Sequence, residues 1–255
     1  MIPKIIHYCW LSDDEYPDSI KQCIDSWREF LPDYELRLWD RKRFDVNSLT
    51  WTKQAFEAKK YAFAADYIRL YALYHEGGIY LDSDVVVYKS FNDLLHLPYF
   101  IGEDKTHCFE PAIIGSEPGI PWIKTVMDRY DGRPFIKADG SYDMYGLPLV
   151  FHDQLAGIYR FKQVRMPVSY DYQDGIINFF PSDYFNSRDY IGAIKTKNSY
   201  CAHNYVGSWM KTNPSKCSIV KRFFPRSAVN ILYAFYYIIK SSDLKNKQIP
   251  FHRLD

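Results

Sequence analysis

The apolar positions change period repeatedly along the first third of the chain. Lys4 to Trp10 (KIIHYCW) is a compact apolar run that predicts a buried first strand. Behind Pro17-Asp18-Ser19, a good helix start, Ile20, Ile24, Trp27 and Leu31 recur at helical spacing. Tyr34 to Trp39 alternates and predicts a second strand. Ala55 to Ala65 is rich in helix formers, and Tyr61, Ala65, Ile68, Ala72 and His75 carry one helical face on to Gly77-Gly78. Next come Ile79-Tyr80-Leu81, Asp82-Ser83-Asp84 and Val85-Val86-Val87: strand, polar interruption, strand. Shorter strands are predicted at Tyr99–Gly102, Ala112–Gly115, Ile176–Phe180 and Tyr200–His203, and helices at Trp122–Tyr130 and Phe151–Tyr159. Gly132 to Tyr172 is irregular and fits an insertion that shapes a second binding site. This alternation predicts an α/β fold, a mostly parallel sheet flanked by helices. There is no internal repeat or Pro/Gly/Ser-rich linker, so the organisation expected is one domain over 1–215 with a C-terminal helical appendage over 216–255.

Charge and composition narrow the function. Among 255 residues, 32 Lys and Arg balance 31 Asp and Glu, for a net charge of +1. A nucleic-acid binder that neutralises many phosphates needs a basic excess, so none is expected as a partner. A 47% hydrophobic and 25% charged composition excludes disorder. Aromatic residues are in excess at 18%, and composition alone leaves their role open. The five Cys, at 9, 23, 108, 201 and 217, are odd in number and form no C-x-x-C pair. That fits a reduced compartment. No signal peptide is visible, and Ile231 to Ile239, the longest apolar stretch, is too short to span a bilayer. A cytoplasmic location is therefore expected. Lys221-Arg222-Phe223-Phe224-Pro225-Arg226 precedes a run in which Ile231, Ala234, Phe235, Ile238 and Ile239 share one face. This tail suits either peripheral contact with the inner face of the membrane or packing on the domain.

Asp82 and Asp84 carry the candidate chemistry. Two acids at i and i+2 on one extended segment project to the same side and can converge on one hard cation. A cation held by few protein oxygens leaves room for a diphosphate and neutralises charge on a departing phosphate. An i, i+3 pair, Asp66 and Arg69, lies on one face of the preceding apolar helix, where charges need partners.

The stretch from Tyr61 through Asp66, Arg69, Gly77, Gly78 and Tyr80 to Asp82 and Asp84 closely resembles the sugar-binding region of family 32 glycosyltransferases, many of them capsular polysaccharide enzymes. The same A-x-x-D-x-x-R and G-G-x-Y-x-D-x-D pattern occurs in glucosylating bacterial toxins. Ile2 to Trp10, Cys23 to Trp27 with Leu31 to Glu35, and His203-Asn-Tyr-Val-Gly-Ser208-Trp209 resemble the family's opening, second and closing segments. The resemblance spans residues 2 to about 210. It implies a GT-A-type, Rossmann-like fold and a retaining transfer of sugar from a nucleotide sugar, a UDP-sugar in preference to a GDP-sugar. It implies Mn²⁺ or Mg²⁺ as cofactor and a saccharide or lipid-linked saccharide as acceptor. By the same resemblance Asp82 and Asp84 bind metal, with His203 as third ligand. Asp66 and Arg69 grip the donor sugar, Tyr80 lines its pocket, Trp10 stacks on the base, and Ser208 and Trp209 contact the diphosphate. Asp66, Arg69, Asp82 and Asp84 form the catalytic set. The chain departs from the family's T-G-P-like turn at Gly146-Leu147-Pro148-Leu149, next to Asp153 and Gln154, which are candidates to approach the reacting carbon.

Two rivals come from other classes. A haloacid-dehalogenase-type phosphatase also places D-x-D after an apolar strand, but it needs a later G-D-x-x-x-D block that this chain lacks. A non-catalytic carbohydrate-binding protein would use the aromatics alone and has no need of four charged groups at one place.

Overall fold

The computed structural model describes residues 1–105, 107–187 and 194–205. Its elements in chain order are β1 (Ile5–Cys9), α1 (Asp18–Phe30), β2 (Glu35–Trp39), α2 (Thr50–Glu57), α3 (Tyr61–Glu76), β3 (Gly78–Leu81), β4 (Val85–Val87), β5 (Tyr99–Glu103), β6 (Phe109–Ser116), α4 (Pro121–Asp128), α5 (Leu147–Leu155), β7 (Arg160–Gln163), β8 (Ile176–Phe179), α6 (Ser182–Phe185) and β9 (Cys201–His203).

The central sheet has the order β2-β1-β3-β6-β5. β1 pairs in parallel with β2 and β3, and β6 is antiparallel to both β3 and β5. Four strands therefore run one way and β6 alone is reversed, within the α/β class expected. β3 sits at the centre and all four of its residues are buried, as a strand covered on both faces must be. Alternation splits it between two cores. Tyr80 joins α2 to α5 on one face, while Ile79 and Leu81 join α1 on the other.

Helix α3 is buried from Phe63 to Leu73 apart from Tyr71, Asp66 and Arg69 included. A helix that is apolar nearly all round belongs inside, so its two charges are buried as well. The helical pattern does not run unbroken from Ala55. Ala58 N–H closes α2 on Gln54, and Lys59 takes a left-handed φ of 55°, turning the chain before α3. Gly77 ends α3 at φ 65° and Gly78 follows at φ 99°. A β-carbon on Gly78 would lie 2.8 Å from the Ile5 carbonyl, so only glycine lets β3 leave the helix this close to β1.

Two small sheets complete the fold, β4 with β9 antiparallel and β7 with β8 parallel. β7 lies in the stretch that shows no periodicity in the sequence. β4 is held on its other side by α1: the Trp27 indole N–H donates to the Val85 carbonyl at 2.7 Å, and the Val87 N–H donates to Ser26 Oγ at 3.0 Å. The appendage expected over 216–255, with its apolar face from Ile231 to Ile239, lies outside the described residues. Among the described residues no helix is long and apolar enough to cross a membrane, and Cys9, Cys23, Cys108 and Cys201 are free thiols.

Candidate active site

The chain passes from the central sheet to the small one through Asp82-Ser83-Asp84. These residues form a tight turn, closed by Val85 N–H donating to the Asp82 carbonyl at 3.0 Å. This corrects the extended geometry expected for the pair: two acids on one straight strand would stay in the sheet, whereas here the chain must bend to change sheets. The carboxylates still converge, because β9 completes the arrangement. Val85 faces His203 across the β4–β9 ladder, and Asn204 N–H donates to the Asp84 carbonyl at 3.0 Å. His203 Nε2 then lies 3.2 Å from Asp84 Oδ1 and 4.0 Å from Asp82 Oδ2. One ligand atom from each of Asp82, Asp84 and His203 can be chosen so that all three lie within 4.8 Å of one another.

Arg69 joins this group from behind. Its guanidinium donates to Asp66 Oδ1 at 3.0 Å and to the Pro111 carbonyl at 2.9 Å, and lies 3.2 Å from Asp82 Oδ1. It also sits over the face of Tyr80, 4.7 Å from the ring centroid, and the Tyr80 hydroxyl donates to Asp82 Oδ1 at 3.1 Å. Burial opposes the Arg69 charge, but Asp82, Tyr80 and Asp66 outweigh it and hold the guanidinium protonated. Burial pushes the Asp66 carboxyl up to about 7, with Arg69 only partly opposing. His203 would be neutral if burial alone acted; the Glu110 and Asp84 carboxylates raise it to about 10.

All of these groups line one cavity of about 490 Å³. Its walls also include Trp10 and Leu11 after β1, the acids Asp14, Glu15 and Asp104, Tyr61 to Phe63 at the start of α3, and Gly146 to Pro148 at the start of α5. Trp10 is half-buried; its indole N–H donates to the Asp14 carbonyl at 3.0 Å and its ring stands edge-on to Tyr16. Tyr80 is 1% exposed, so its ring serves Arg69 and its hydroxyl serves Asp82. Asp153 accepts a hydrogen bond from Tyr145, and neither Asp153 nor Gln154 lines the cavity. Ser208 and Trp209 lie outside the described residues.

Glu110 is the group the sequence does not advertise. It stands on β6 as a lone acid in an apolar strand, 3% exposed, and receives the Tyr205 hydroxyl and the Asn186 amide, each at 2.6 Å. Burial alone would raise its carboxyl; His203 and Tyr205 beside it bring it below the ordinary carboxylate range. The only hint in the sequence is the acid itself, since an ionised carboxylate amid Phe109 and Ala112 to Ile114 must find partners.

Taken together, four carboxylates (Asp66, Asp82, Asp84 and Glu110) face one guanidinium and one imidazole. Such a centre accepts an anionic ligand only together with a cation. Two carboxylates and an imidazole are an adequate donor set for a divalent ion that keeps further positions open.

Residues 17–101 match the family described as a glycosyltransferase sugar-binding region containing DXD motif, which covers α3, β3 and the Asp82–Asp84 turn. The chain is 31% identical over 133 residues to inositol phosphoceramide mannosyltransferase 3 of Schizosaccharomyces pombe, covering 49% of this chain and 36% of that one. It is 26% identical over 209 residues to a mannosyl phosphorylinositol ceramide synthase of Saccharomyces cerevisiae, covering 78% and 51%. The chain thus spans between about a third and a half of the length of these curated relatives. Among solved structures, a PaToxG glycosyltransferase aligns with TM-score 0.46 and 23% identity over 61% of this chain and 68% of that one. The match therefore lies with the DXD sugar-binding region, and the two curated relatives are named for inositol phosphoceramide rather than for capsule.

Proposed function

We propose that this protein is a metal-dependent, retaining glycosyltransferase that moves a hexosyl group from a nucleoside-diphosphate sugar to an acceptor hydroxyl. The observation that carries this reading is the meeting of Asp82, Asp84 and His203 within one cavity that also holds the buried Asp66–Arg69 pair. Asp82, Asp84 and His203 would hold the cation, with Mn²⁺ favoured over Mg²⁺ because one donor is an imidazole. When bound, the ion supplies the positive charge that offsets the diphosphate leaving group.

The chain's own residues do the positioning. Asp66 presents its carboxylate to the cavity with one oxygen held by Arg69, a fixed acceptor for sugar hydroxyls. Arg69 in turn fixes Asp82, so sugar and cation share one rigid frame. Fixing the donor in this way lowers the entropic part of the barrier. Trp10, which also lines the cavity, would offer its ring to the nucleotide base. Retention then follows from attack on the same face as the departing phosphate, which accepts the acceptor's proton; recovery of a glycosyl-enzyme adduct would count against this route.

The names of the relatives point to mannose as the first sugar to try and to an inositol-bearing lipid head group, ahead of a capsular saccharide, as acceptor. The tail from Lys221 to Lys240 would then hold the enzyme at the inner face of the membrane, beside a lipid-linked acceptor. Loss of liposome sedimentation on truncation after Trp209 is the result expected. For the activity itself, UDP- and GDP-sugars are screened for Mn²⁺-dependent hydrolysis, in the native chain and in Asp84→Ala. Metal-dependent release of nucleoside diphosphate that disappears in Asp84→Ala supports the reading. No turnover and no nucleotide binding with Mn²⁺ present refute it.

A further inference from the structure

We propose that Glu110 is a positioning residue for the cation site: it fixes the His203 ring so that Nε2 is the nitrogen presented to Asp82 and Asp84. This rests on the metal-dependent reading above. Glu110 Oε1 lies 3.3 Å from Nδ1, the ring nitrogen other than the one nearest the two acids.

The geometry is specific. Glu110 Oε2 takes the Tyr205 hydroxyl and Asn186 Nδ2, each at 2.6 Å. Its Oε1 takes the Ala112 N–H at 3.2 Å and lies 3.3 Å from His203 Nδ1. Backbone and short side-chain bonds therefore lock the carboxylate, and what it offers His203 is a fixed negative charge at one nitrogen. When a cation replaces the proton at Nε2, the proton kept at Nδ1 leaves Nε2 as the ligating nitrogen, the arrangement by which carboxylates orient metal-binding histidines. Nε2 is the atom that lies 3.2 Å from Asp84 Oδ1. The Tyr205 ring, 4.0 Å from the imidazole centroid and tilted by 33°, limits rotation of the histidine.

A packing role alone does not account for this choice of residue. β6 is buried at all eight positions and Glu110 is its one ionisable side chain. An apolar residue there would avoid the cost of burying a charge. Glu110, Tyr205, Asn186 and His203 come from β6, the segment after β9, the residue after α6 and β9 itself, so the network also ties the arrival of β9 to the cation site.

The test uses the full chain and Mn²⁺ alone. Mn²⁺ affinity is titrated by the EPR signal of free Mn²⁺, with thermal melting measured on the same samples, for native protein, His203→Ala, Glu110→Gln and Tyr205→Phe. Glu110→Gln is expected to weaken Mn²⁺ binding by about 10- to 100-fold, as for other residues that orient a ligand. Tyr205→Phe, which keeps the ring but releases one bond to Glu110, is expected to weaken it less. If Glu110→Gln fails to fold, Tyr205→Phe decides alone. Native Mn²⁺ affinity in the folded variants, with His203→Ala impaired, overturns the Glu110 role and leaves the metal site standing. Lower melting temperature with unchanged Mn²⁺ affinity marks a structural role and overturns it too. Failure of the native protein to bind Mn²⁺ overturns the metal-dependent reading and this inference together.

Discussion

His7 predicts a specific acid sensitivity. It lies on β1, fully buried, between two fixed partners: the Trp39 indole N–H donates to Nδ1 at 2.9 Å, and Nε2–H donates to the Gly77 carbonyl at 2.7 Å. This pattern admits the neutral ring only. A second proton at Nδ1 would face the Trp39 donor, and burial already lowers His7 from 6.5 to about 4. The unfolded chain therefore binds more protons than the folded one between these values, and stability falls as pH falls. The gap corresponds to about 3 kcal/mol in full, of which about 2 kcal/mol is gone by about pH 5. The loss falls where Gly77 and Gly78 hand α3 over to β3, immediately before the Asp82–Asp84 turn. Urea denaturation from about pH 7 to pH 4.5 measures it, with His7→Gln as the reference that cannot titrate. His7→Gln is expected to be less stable at neutral pH and to lose about 2 kcal/mol less on going to pH 5. Parallel pH profiles for the two proteins would refute the assignment, because they would place the proton uptake on other groups.

Three further outcomes follow from the site and the core. Arg69→Met leaves the buried Asp66 and the half-buried Asp82 without their shared cation and is expected to cost about 3 kcal/mol by denaturant titration, part of it recovered in the Asp66→Asn background; a loss below about 1 kcal/mol would contradict the clamp. Asp84→Asn keeps shape but removes one anionic ligand, so Mn²⁺ affinity by calorimetry is expected to fall beyond the roughly 100-fold typical of residues that only orient a ligand. Gly115→Ala places a β-carbon 2.1 Å from the Phe100 ring, and this overpacking is expected to cost at least about 2 kcal/mol in thermal or urea unfolding.

What the sequence discloses of this site divides by sequence separation. Asp66 and Arg69 are one helical turn apart, so local spacing already brings that pair together; Asp82 and Asp84 lie two residues apart behind an apolar run, which marks them as candidates without setting their geometry. The main strands are legible for the same reason: Ile5 to Cys9 and Gly78 to Leu81 are short apolar runs bounded by polar or glycine positions. Local spacing is silent about the bend at Ser83, because the bend exists only so that β4 can leave the central sheet and meet β9. It is equally silent about the break at Lys59, where two adjacent lysines carry no stop signal. His203 reaches Asp84 through the pairing of Val85 with His203, and Glu110 reaches His203 because β6 is the reversed strand beside β3. The same logic makes Arg69 more than half of a local pair: its contact with Asp82 crosses from helix to strand and fuses two motifs that look independent in the chain. Without a bound cation, the positive groups that face the four acids of this centre are Arg69 and His203. The site is thus held together by two positive groups, one on α3 and one on β9, and a cation bound at Nε2 would take over the charge of the second.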